Sequence, residues 1–327
     1  MSTYQALWVT ETPQFQQRVI ERSLADLPDG EVLIRVHYSS LNYKDALSAT
    51  GNRGVTRTFP HTPGIDAAGV VEHSKVTEFT AGDEVIVTGY DLGMNTYGGM
   101  AQYIRVPAAW VIKRPAGLSL RESMILGTAG LTAALCVDKL LRAGLTVDAG
   151  PVLVTGATGG VGSIAIVLLK QLGFDVTAVT GKTEQAEFLR QLGAKQVIDR
   201  EALTVGTDKA LLKPQWAGVV DTVGGDILFN AVKSLQYGAS AACCGLTAGI
   251  DFKASVLPFI LRGVNLLGVD SVELPLVNKA SMWDKLSLQW KMDLDNLVKE
   301  ISLKDVPNAI ATMLASQQTG RTLVRID

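Results

Sequence analysis

Three glycines at three-residue spacing mark one turn of the chain as a site for a charged ligand. Residues 152–173, VLVTGATGGVGSIAIVLLKQLG, combine an apolar strand, a turn containing Gly156, Gly159 and Gly162, and an apolar helix. The missing Cβ atoms let the backbone turn sharply and approach a pyrophosphate. The helix that starts near Gly160 directs free N–H groups and its positive dipole end toward the same place. The turn predicts a dinucleotide site, with a plain strand-to-helix turn as the alternative.

The end of the second strand indicates which dinucleotide binds. An NAD-specific site places Asp or Glu there for the ribose 2′-hydroxyl, but this chain has Thr180, Gly181 and Lys182. Arg200, just after the third strand, lies within reach of the same ribose. A hydroxyl and two cations favour a 2′-phosphate, so we expect NADPH rather than NADH; for Lys182, a solvated surface lysine is the alternative. The predicted contacts of the glycine turn itself are Thr158, Gly159, Gly160 and Val161.

The elements around this turn follow a strand–helix–strand order. Six predicted strands succeed one another: VLVTG, VTAVT, QVID, GVVDTV, ASAACCG and VNLLGVD. This order predicts an α/β fold with a Rossmann domain, a doubly wound parallel six-stranded sheet. The chain before the series reads as β-rich. After Asp270, a stretch predicted to be helical, MWDKLSLQWKMDLDNLVKEI, precedes a final predicted strand, TLVRID.

Composition excludes several function classes. A net charge of −2 gives no electrostatic case for nucleic acid or an anionic membrane. The first residues, MSTYQALWVTETPQF, lack the pattern of a secretory signal. No uninterrupted apolar run approaches about 20 residues, so we expect no membrane span. Three cysteines are too few for a disulfide scaffold. Together these features favour a cytoplasmic protein.

Several runs resemble the medium-chain dehydrogenase/reductase family. NYKD at 42–45, PGIDAAG at 63–69, GDEV at 82–85 and GTAGLTA at 127–133 stand as in that family. SSLNYKDAL, DTVGG and LPFILRGVNLLGVDS look like its YhdH/YhfP-type quinone oxidoreductase group, which includes acrylyl-CoA reductase. The resemblance covers nearly the whole chain. It implies a GroES-like β-rich catalytic domain over 1–122 and 268–327, a Rossmann NADPH-binding domain over 123–267, and a cleft between them for nicotinamide and substrate.

The resemblance also shows that this chain lacks the zinc ligands of its relatives. Alcohol dehydrogenases of the family hold a catalytic zinc with two Cys and one His, whereas the matching positions here are Asn42, Ile65 and Thr128. None of these side chains supplies the thiolate or imidazole that zinc prefers. We therefore expect no metal; the alternative, a zinc alcohol dehydrogenase, would contain stoichiometric zinc.

Hydride chemistry without a metal suits an activated alkene. A conjugated carbonyl withdraws charge, so hydride adds at the β-carbon, and the resulting enolate needs hydrogen bonds and a proton at the α-carbon. The resemblance implies an enoyl thioester, acrylyl-CoA, as the substrate. A quinone is the alternative substrate because it is a vinylogous carbonyl. A non-catalytic NADPH-binding sensor or structural protein is the alternative from another class.

Two candidate catalytic residues lie in the NYKD run. In the family this segment lies against the nicotinamide, and the phenol of Tyr43 is able to donate a hydrogen bond or a proton to the substrate. A packing role is the alternative for Tyr43. The amide of Asn42 has two possible roles, donation to the substrate carbonyl or capping of a helix. The resemblance further implies cofactor contacts at Tyr43, Thr132, Leu246, Ser271 and Arg321.

The predicted partners follow from the same features. The run VNLLGVD is apolar and lies at the edge of the predicted sheet. An unpaired edge of this kind invites pairing with a second copy, so we expect a homodimer. The other expected partner is a small-molecule substrate, with neither nucleic acid nor a membrane.

Overall fold

A computed structural model describes residues 2–12 and 14–326. The strands are β1 (Thr3–Thr10), β2 (Gln16–Ser23), β3 (Val32–Leu41), β4 (Asp66–Ser74), β5 (Glu84–Thr88), β6 (Tyr103–Val106), β7 (Val111–Lys113), β8 (Val152–Val154), β9 (Val176–Thr180), β10 (Gln196–Asp199), β11 (Trp216–Asp221), β12 (Leu235–Cys243), β13 (Asn265–Gly268), β14 (Val298–Ser302) and β15 (Arg321–Arg325). The helices are α1 (Tyr43–Ala49), α2 (Leu120–Arg142), α3 (Gly160–Gln171), α4 (Ala186–Leu192), α5 (Gly225–Lys233), α6 (Leu257–Arg262), α7 (Leu276–Ser287) and α8 (Val306–Leu314).

The chain divides into two compact units. Unit 1 comprises Met1–Thr128 and Ser271–Asp327, and unit 2 comprises Ala129–Asp270. Each unit has its own sheet and its own cluster of buried apolar side chains.

Unit 2 contains the predicted parallel sheet. Its strand order is β10-β9-β8-β11-β12-β13, and every neighbouring pair is parallel. All residues of β8, β9 and β11 are buried, as expected for parallel strands covered on both faces. The six predicted strands are confirmed. The direction of winding reverses between β8 and β11, so the carboxyl ends of these two strands flank the point where such sheets bind ligands.

Unit 1 is built on a mainly antiparallel sheet. Its strand order is β14-β15-β3-β4-β5-β7, with β6 also pairing with β3, and β1 and β2 form a separate antiparallel pair. Buried side chains of β3, including Val32, Ile34 and Val36, pack in the core of this unit. The alternating burial along β3 is typical of a strand with one face toward a core.

One predicted helix in unit 1 is partly wrong. The predicted helical stretch extends to Ile301, but α7 ends at Ser287 and residues Val298–Ser302 form β14. This strand pairs in parallel with β15 over five residues, from Val298 with Arg321 to Ser302 with Arg325. Pairing with β15 therefore overrides the local helical preference.

Helix α2 has the length and composition of a membrane-spanning helix, which the sequence analysis did not predict. In its most apolar window of 18 residues, 83% is buried within the protein. The burial is that of a core helix. At Gly127 the helix kinks, with φ 51° and ψ −155°.

Candidate cofactor and active site

The glycine turn of unit 2 joins β8 to α3, and its inner side packs closely against neighbouring atoms. Gly156 has φ 58°, and a Cβ at this position would lie 2.2 Å from the Thr222 hydroxyl. A Cβ on Gly162 would lie 2.5 Å from the Gly156 carbonyl oxygen. Neither position has room for a side chain, so both glycines are required by the packing of the turn.

The outer side of the same turn is open. Gly159 is exposed, and a Cβ there would meet only the Gly156 carbonyl, at 3.2 Å. Helix α3 begins at Gly160, and its first N–H groups have no intrahelical acceptors. Thr158 is buried, whereas Gly160 and Val161 are partly exposed. These features fit a pyrophosphate held by the backbone at a helix N-terminus.

The proposed 2′-phosphate residues come together at the ends of β9 and β10. Thr180 pairs with Asp199, which brings Arg200 beside Gly181. A Cβ on Gly181 would lie 2.7 Å from Arg200 Nε, so the guanidinium group lies against this glycine. The backbone N–H of Lys182 donates to Thr180 Oγ1 at 2.9 Å, and partial burial lowers the pKa of the Lys182 ammonium.

One carboxylate oxygen of Asp199, the acidic residue next to Arg200, is engaged in a backbone hydrogen bond. Asp199 Oδ1 accepts the backbone N–H of Glu201 at 2.8 Å and so caps the turn that follows β10. The arrangement of Thr180, Lys182 and Arg200 fits a dianionic phosphate better than a ribose hydroxyl.

In unit 1 a fully buried carboxylate, Asp66, organises the NYKD segment. Its oxygens accept hydrogen bonds from Ser40 Oγ at 2.6 Å and Asn42 Nδ2 at 2.7 Å. They also accept from the backbone N–H and the hydroxyl of Thr128, at 2.9 and 2.5 Å. Four donors therefore surround the carboxylate. These hydrogen bonds offset the free-energy cost of removing the Asp66 carboxylate from water.

A second buried carboxylate, Asp45, caps the N-terminus of α1. Its Oδ2 accepts the Asn42 N–H at 2.7 Å, and its Oδ1 accepts the Ile65 N–H at 2.8 Å. Burial is the main cause that raises the pKa of Asp45 to about 7, and the charge of Asp66 adds to it. The two backbone hydrogen bonds act in the opposite direction but do not cancel the effect.

Arg321 is buried in unit 1. The resemblance implies a cofactor contact for this residue; its side chain is 2% exposed and belongs to the Asp66 network. Its Nε donates to the Ile125 carbonyl at 2.9 Å, and its Nη1 donates to Asn42 Oδ1 at 3.2 Å. Burial lowers the pKa of Arg321, while the carboxylates of Asp66 and Asp45 favour its charged form. The acidic pair thus explains why the guanidinium lies inside the unit.

The side-chain amide of Asn42 is engaged by neighbours in unit 1. Its two amide hydrogens are directed to the Ser40 carbonyl at 3.2 Å and to Asp66 Oδ2 at 2.7 Å. Its amide oxygen accepts from Arg321, and its backbone N–H donates to the Asp45 carboxylate that caps α1. Asn42 is therefore the N-cap residue of α1 and a member of the Asp66 network.

Tyr43, the first residue of α1, is the accessible member of the predicted catalytic pair. Its side chain is 42% exposed, and its hydroxyl makes no hydrogen bond with the described residues. The remaining predicted cofactor contacts differ in exposure: Thr132 on α2 and Ser271 are buried, and Leu246 after β12 is 57% exposed.

The three positions that hold zinc in alcohol dehydrogenases do not fit the metal here. The Asn42 amide is engaged by Asp66 and Ser40, the Thr128 hydroxyl donates to Asp66, and Ile65 is a buried apolar side chain. No soft or imidazole ligand is present among them. Across residues 2–12 and 14–326, no group of three His, Cys, Asp or Glu side chains is arranged to hold a metal ion.

Sequence reasoning missed Ser40 and Asp66 as members of this network. A signal was available, because Asp66 interrupts the apolar run GIDAAGVV at the start of β4. A carboxylate in such a run is buried only if donors surround it. The donors come from distant parts of the chain, so the signal does not identify them.

Comparisons with known proteins agree with this fold. The alcohol dehydrogenase GroES-like domain matches residues 28–116, and the zinc-binding dehydrogenase family matches residues 160–287. The acrylyl-CoA reductase AcuI of Ruegeria pomeroyi is 44% identical over 318 residues, which cover 97% of this chain and 96% of that protein.

Two solved structures are similar over the full length. The yhdH oxidoreductase from Salmonella enterica in complex with NADP is 42% identical, with a TM-score of 0.96, and covers 99% of this chain and 100% of that one. The Bacillus subtilis protein yhfP with NAD bound is 46% identical, with a TM-score of 0.97, and each chain is covered completely.

Proposed function

This chain belongs to the medium-chain dehydrogenase/reductase family, in the group of YhdH, YhfP and the acrylyl-CoA reductases, and from that premise we propose that it reduces activated alkenes. It is an NADPH-dependent oxidoreductase of this family. The proposed substrate is an α,β-unsaturated thioester resembling acrylyl-CoA. The single observation that carries the proposal is the replacement of the zinc ligands by Asn42, Ile65 and Thr128, which engage Asp66 or pack in the core.

Without zinc, a substrate must carry its own electron-withdrawing group. A thioester conjugated to an alkene does so, because its carbonyl accepts the charge that develops when hydride reaches the β-carbon. When bound, NADPH supplies that hydride. The protein has to orient the alkene, exclude water and provide a proton for the α-carbon.

Tyr43 is the residue to which we assign the hydrogen bond or proton. Its exposed phenol follows the capped first turn of α1, and the Asn42–Asp45 capping box fixes that turn. The Asp66 network then holds Asn42 in place through its amide. In this assignment Asn42 is a positioning residue, and the carboxylates Asp45 and Asp66 act through it.

NADPH is preferred over NADH in this proposal. The support is that Lys182 bonds through its backbone to Thr180 at the end of β9, and that the Arg200 guanidinium lies against Gly181 between them. The Salmonella relative was solved with NADP and the Bacillus relative with NAD, and the assay below compares the two cofactors directly.

A quinone is the second candidate substrate, because the same hydride chemistry applies to it. A purely structural or sensing role is disfavoured, because the acrylyl-CoA reductase relative is named for a catalysed reaction. We further propose a cytoplasmic location and a homodimer joined through the free edge of β13, which pairs only with β12 among the described residues.

Initial rates of NADPH oxidation at 340 nm test the proposal. The assay compares acrylyl-CoA, propionyl-CoA and a simple quinone at equal concentration, with NADH as the alternative cofactor. We expect the highest kcat/KM with acrylyl-CoA and NADPH, and no turnover with the saturated thioester. A higher kcat/KM with the quinone would show that the quinone, and not the thioester, is the preferred substrate. The proposed hydride transfer would still hold.

A further inference from the structure

Unit 2 contains a buried carboxylate that the proposed chemistry does not use. Asp221 is the last residue of β11 and is fully buried. Its Oδ1 accepts the Thr155 hydroxyl at 2.7 Å, and its Oδ2 accepts the N–H groups of Gly224 at 2.8 Å and Val223 at 3.3 Å. The side chain therefore joins the end of β8 to the loop after β11.

The first of these partners holds the glycine turn. Thr155 directly precedes Gly156, and its hydroxyl also accepts the Thr222 N–H at 3.0 Å. In return, the Thr222 hydroxyl donates to the Thr155 carbonyl at 2.8 Å. Since a Cβ on Gly156 would lie 2.2 Å from that hydroxyl, the glycine turn rests directly on the residue that follows Asp221.

A third loop is attached at the same point. The Cys244 N–H donates to the Asp221 carbonyl at 3.0 Å, and the Ala248 N–H donates to the Val223 carbonyl at 2.7 Å. These bonds fix both ends of the segment that carries Leu246, a predicted cofactor contact. Three loops at the carboxyl edge of the sheet thus share the Asp221 residue as a common anchor.

We propose that Asp221 is a positioning residue for the dinucleotide, and that it sets NADPH affinity by holding the glycine turn and the 244–249 loop in binding geometry. The proposal rests on NADPH binding by unit 2 and is independent of the substrate that is reduced. Asp221 makes no contribution to the hydride step in this account, so its effect is confined to cofactor binding.

The chemistry of the site requires a carboxylate. All three groups aimed at Asp221 are donors, and only an ionised carboxyl accepts hydrogen bonds with both oxygens and donates none. Burial raises the pKa of Asp221, and the three hydrogen bonds oppose this shift. An asparagine would turn its NH₂ group toward one of the donors and release either the glycine turn or the 223–224 loop.

The test measures the Kd of NADPH by fluorescence titration together with the thermal unfolding midpoint. We expect Asp221→Asn to raise the Kd roughly tenfold, the effect of losing a hydrogen bond to a charged group, with kcat at saturating NADPH changed by less than about twofold. Thr155→Val removes the hydrogen bond to Asp221 Oδ1 and the acceptor of the Thr222 N–H, but it leaves both hydrogen bonds to Asp221 Oδ2 in place. It should raise the Kd by a smaller factor, roughly threefold.

Ser234→Ala is the matched control in the same unit. Ser234 is 3% exposed, and its hydroxyl donates to the Asn230 carbonyl at 2.9 Å. It directly precedes β12 and so lies at the opposite edge of the sheet from the three loops. The control should lower the unfolding midpoint but leave the NADPH Kd unchanged.

Two results would overturn the proposal. One is a wild-type Kd in folded Asp221→Asn protein, and the other is an equal rise in Kd in Ser234→Ala protein, which would indicate general loosening. If Asp221→Asn does not fold, Thr155→Val decides alone, and an unchanged Kd in that variant counts against the proposal. Because the readout is NADPH binding, a wrong assignment of the alkene substrate would not affect the outcome.

Discussion

At the scale of single residues, we propose that Arg200 determines the choice between NADPH and NADH. Its guanidinium lies against Gly181, next to Thr180 and Lys182. Replacement by alanine removes a charge-assisted contact to the 2′-phosphate, so Arg200→Ala should raise the KM for NADPH roughly tenfold and leave the KM for NADH unchanged. Lys195→Ala is the control, because Lys195 pairs with Asp175 at the surface of the same unit. Equal changes in the KM for NADPH and for NADH would show that Arg200 does not bind the 2′-phosphate.

Tyr43 is the residue on which the catalytic assignment depends. Because the phenol would act in the reaction and makes no hydrogen bond within the described structure, Tyr43→Phe should lower kcat by roughly 10²-fold and leave stability nearly unchanged. Steady-state kinetics and thermal unfolding of the same preparation measure both effects. Wild-type kcat in this variant would remove Tyr43 from the mechanism.

The capping carboxylate Asp45 makes stability depend on pH. Its folded pKa, about 7, exceeds its unfolded value, so its stabilising contribution is complete below about pH 4 and is lost as the pH rises through 7. Relative to Asp45→Asn, the wild-type free energy of unfolding should therefore fall by roughly 2–4 kcal/mol between pH 4 and pH 8. Urea unfolding at a series of pH values measures this difference.

Asp305 offers a matched control for that experiment. It occupies the same capping-box position after Ser302, but it is exposed, and hydrogen bonds from Ser302 lower its pKa. Its contribution to stability is therefore present above the unfolded pKa and is lost as the pH falls. The Asp305→Asn comparison should slope in the opposite direction, and a slope of the same sign would contradict the assigned causes.

The sequence predicts which residues meet at the edge of the parallel sheet better than it predicts the buried network. Gly156, Thr180 and Arg200 follow strands that can be recognised individually, and the parallel sheet brings the strand ends to one edge. The hydrogen bond between Arg321 and Asn42, in contrast, spans 279 positions and depends on β15 lying beside β3. No local pattern predicts that pairing, so the sequence does not place Arg321 in the Asp66 network.

At the scale of elements, the kink of α2 fixes the Asp66 network. Gly127 has φ 51°, and a Cβ there would lie 2.5 Å from both Asp66 Oδ2 and Ser40 Oγ. Gly127→Ala combines backbone strain with a clash against buried polar atoms, so we expect a loss of roughly 2–4 kcal/mol in unfolding free energy. The measurement is denaturant unfolding, with kcat determined in parallel.

Gly54→Ala serves as the control for that substitution. A Cβ on Gly54 would meet only the Asn52 side chain, at 3.1 Å, and its φ lies outside the left-handed region. The control should change stability by less than about 1 kcal/mol. Comparable losses in the two variants would mean that the kink is not the cause.

A strand was predictable from the sequence where a short apolar run is buried along its whole length. The run VTAVT is buried along its whole length and forms β9 as predicted. The run VKEIS has no such pattern, since only Val298 and Ile301 are partly buried, and β15 supplies the hydrogen-bond partners that make it a strand. Partners of this kind are a property of the tertiary fold.

At the scale of the whole molecule, the free edge of β13 predicts assembly. Leu266 packs against the core of unit 2, whereas Leu267 does not belong to that core. Leu267→Lys should therefore leave the fold intact and place a charge at the proposed interface. Light scattering after gel filtration should give twice 34.8 kDa for the wild type and 34.8 kDa for the variant. Val205→Lys, at an exposed site of unit 2, should remain dimeric; a dimeric Leu267→Lys protein would contradict this interface.

The most direct test of the central claim follows the hydride into the product. NADPH deuterated at the transferable position of C4 is incubated with acrylyl-CoA and the protein, and the thioester is analysed by mass spectrometry and NMR. We predict propionyl-CoA with a single deuterium on the β-carbon and a solvent-derived proton on the α-carbon. Oxidation of NADPH without deuterium in the thioester, or deuterium at the α-carbon, would contradict the account of this protein as an alkene reductase.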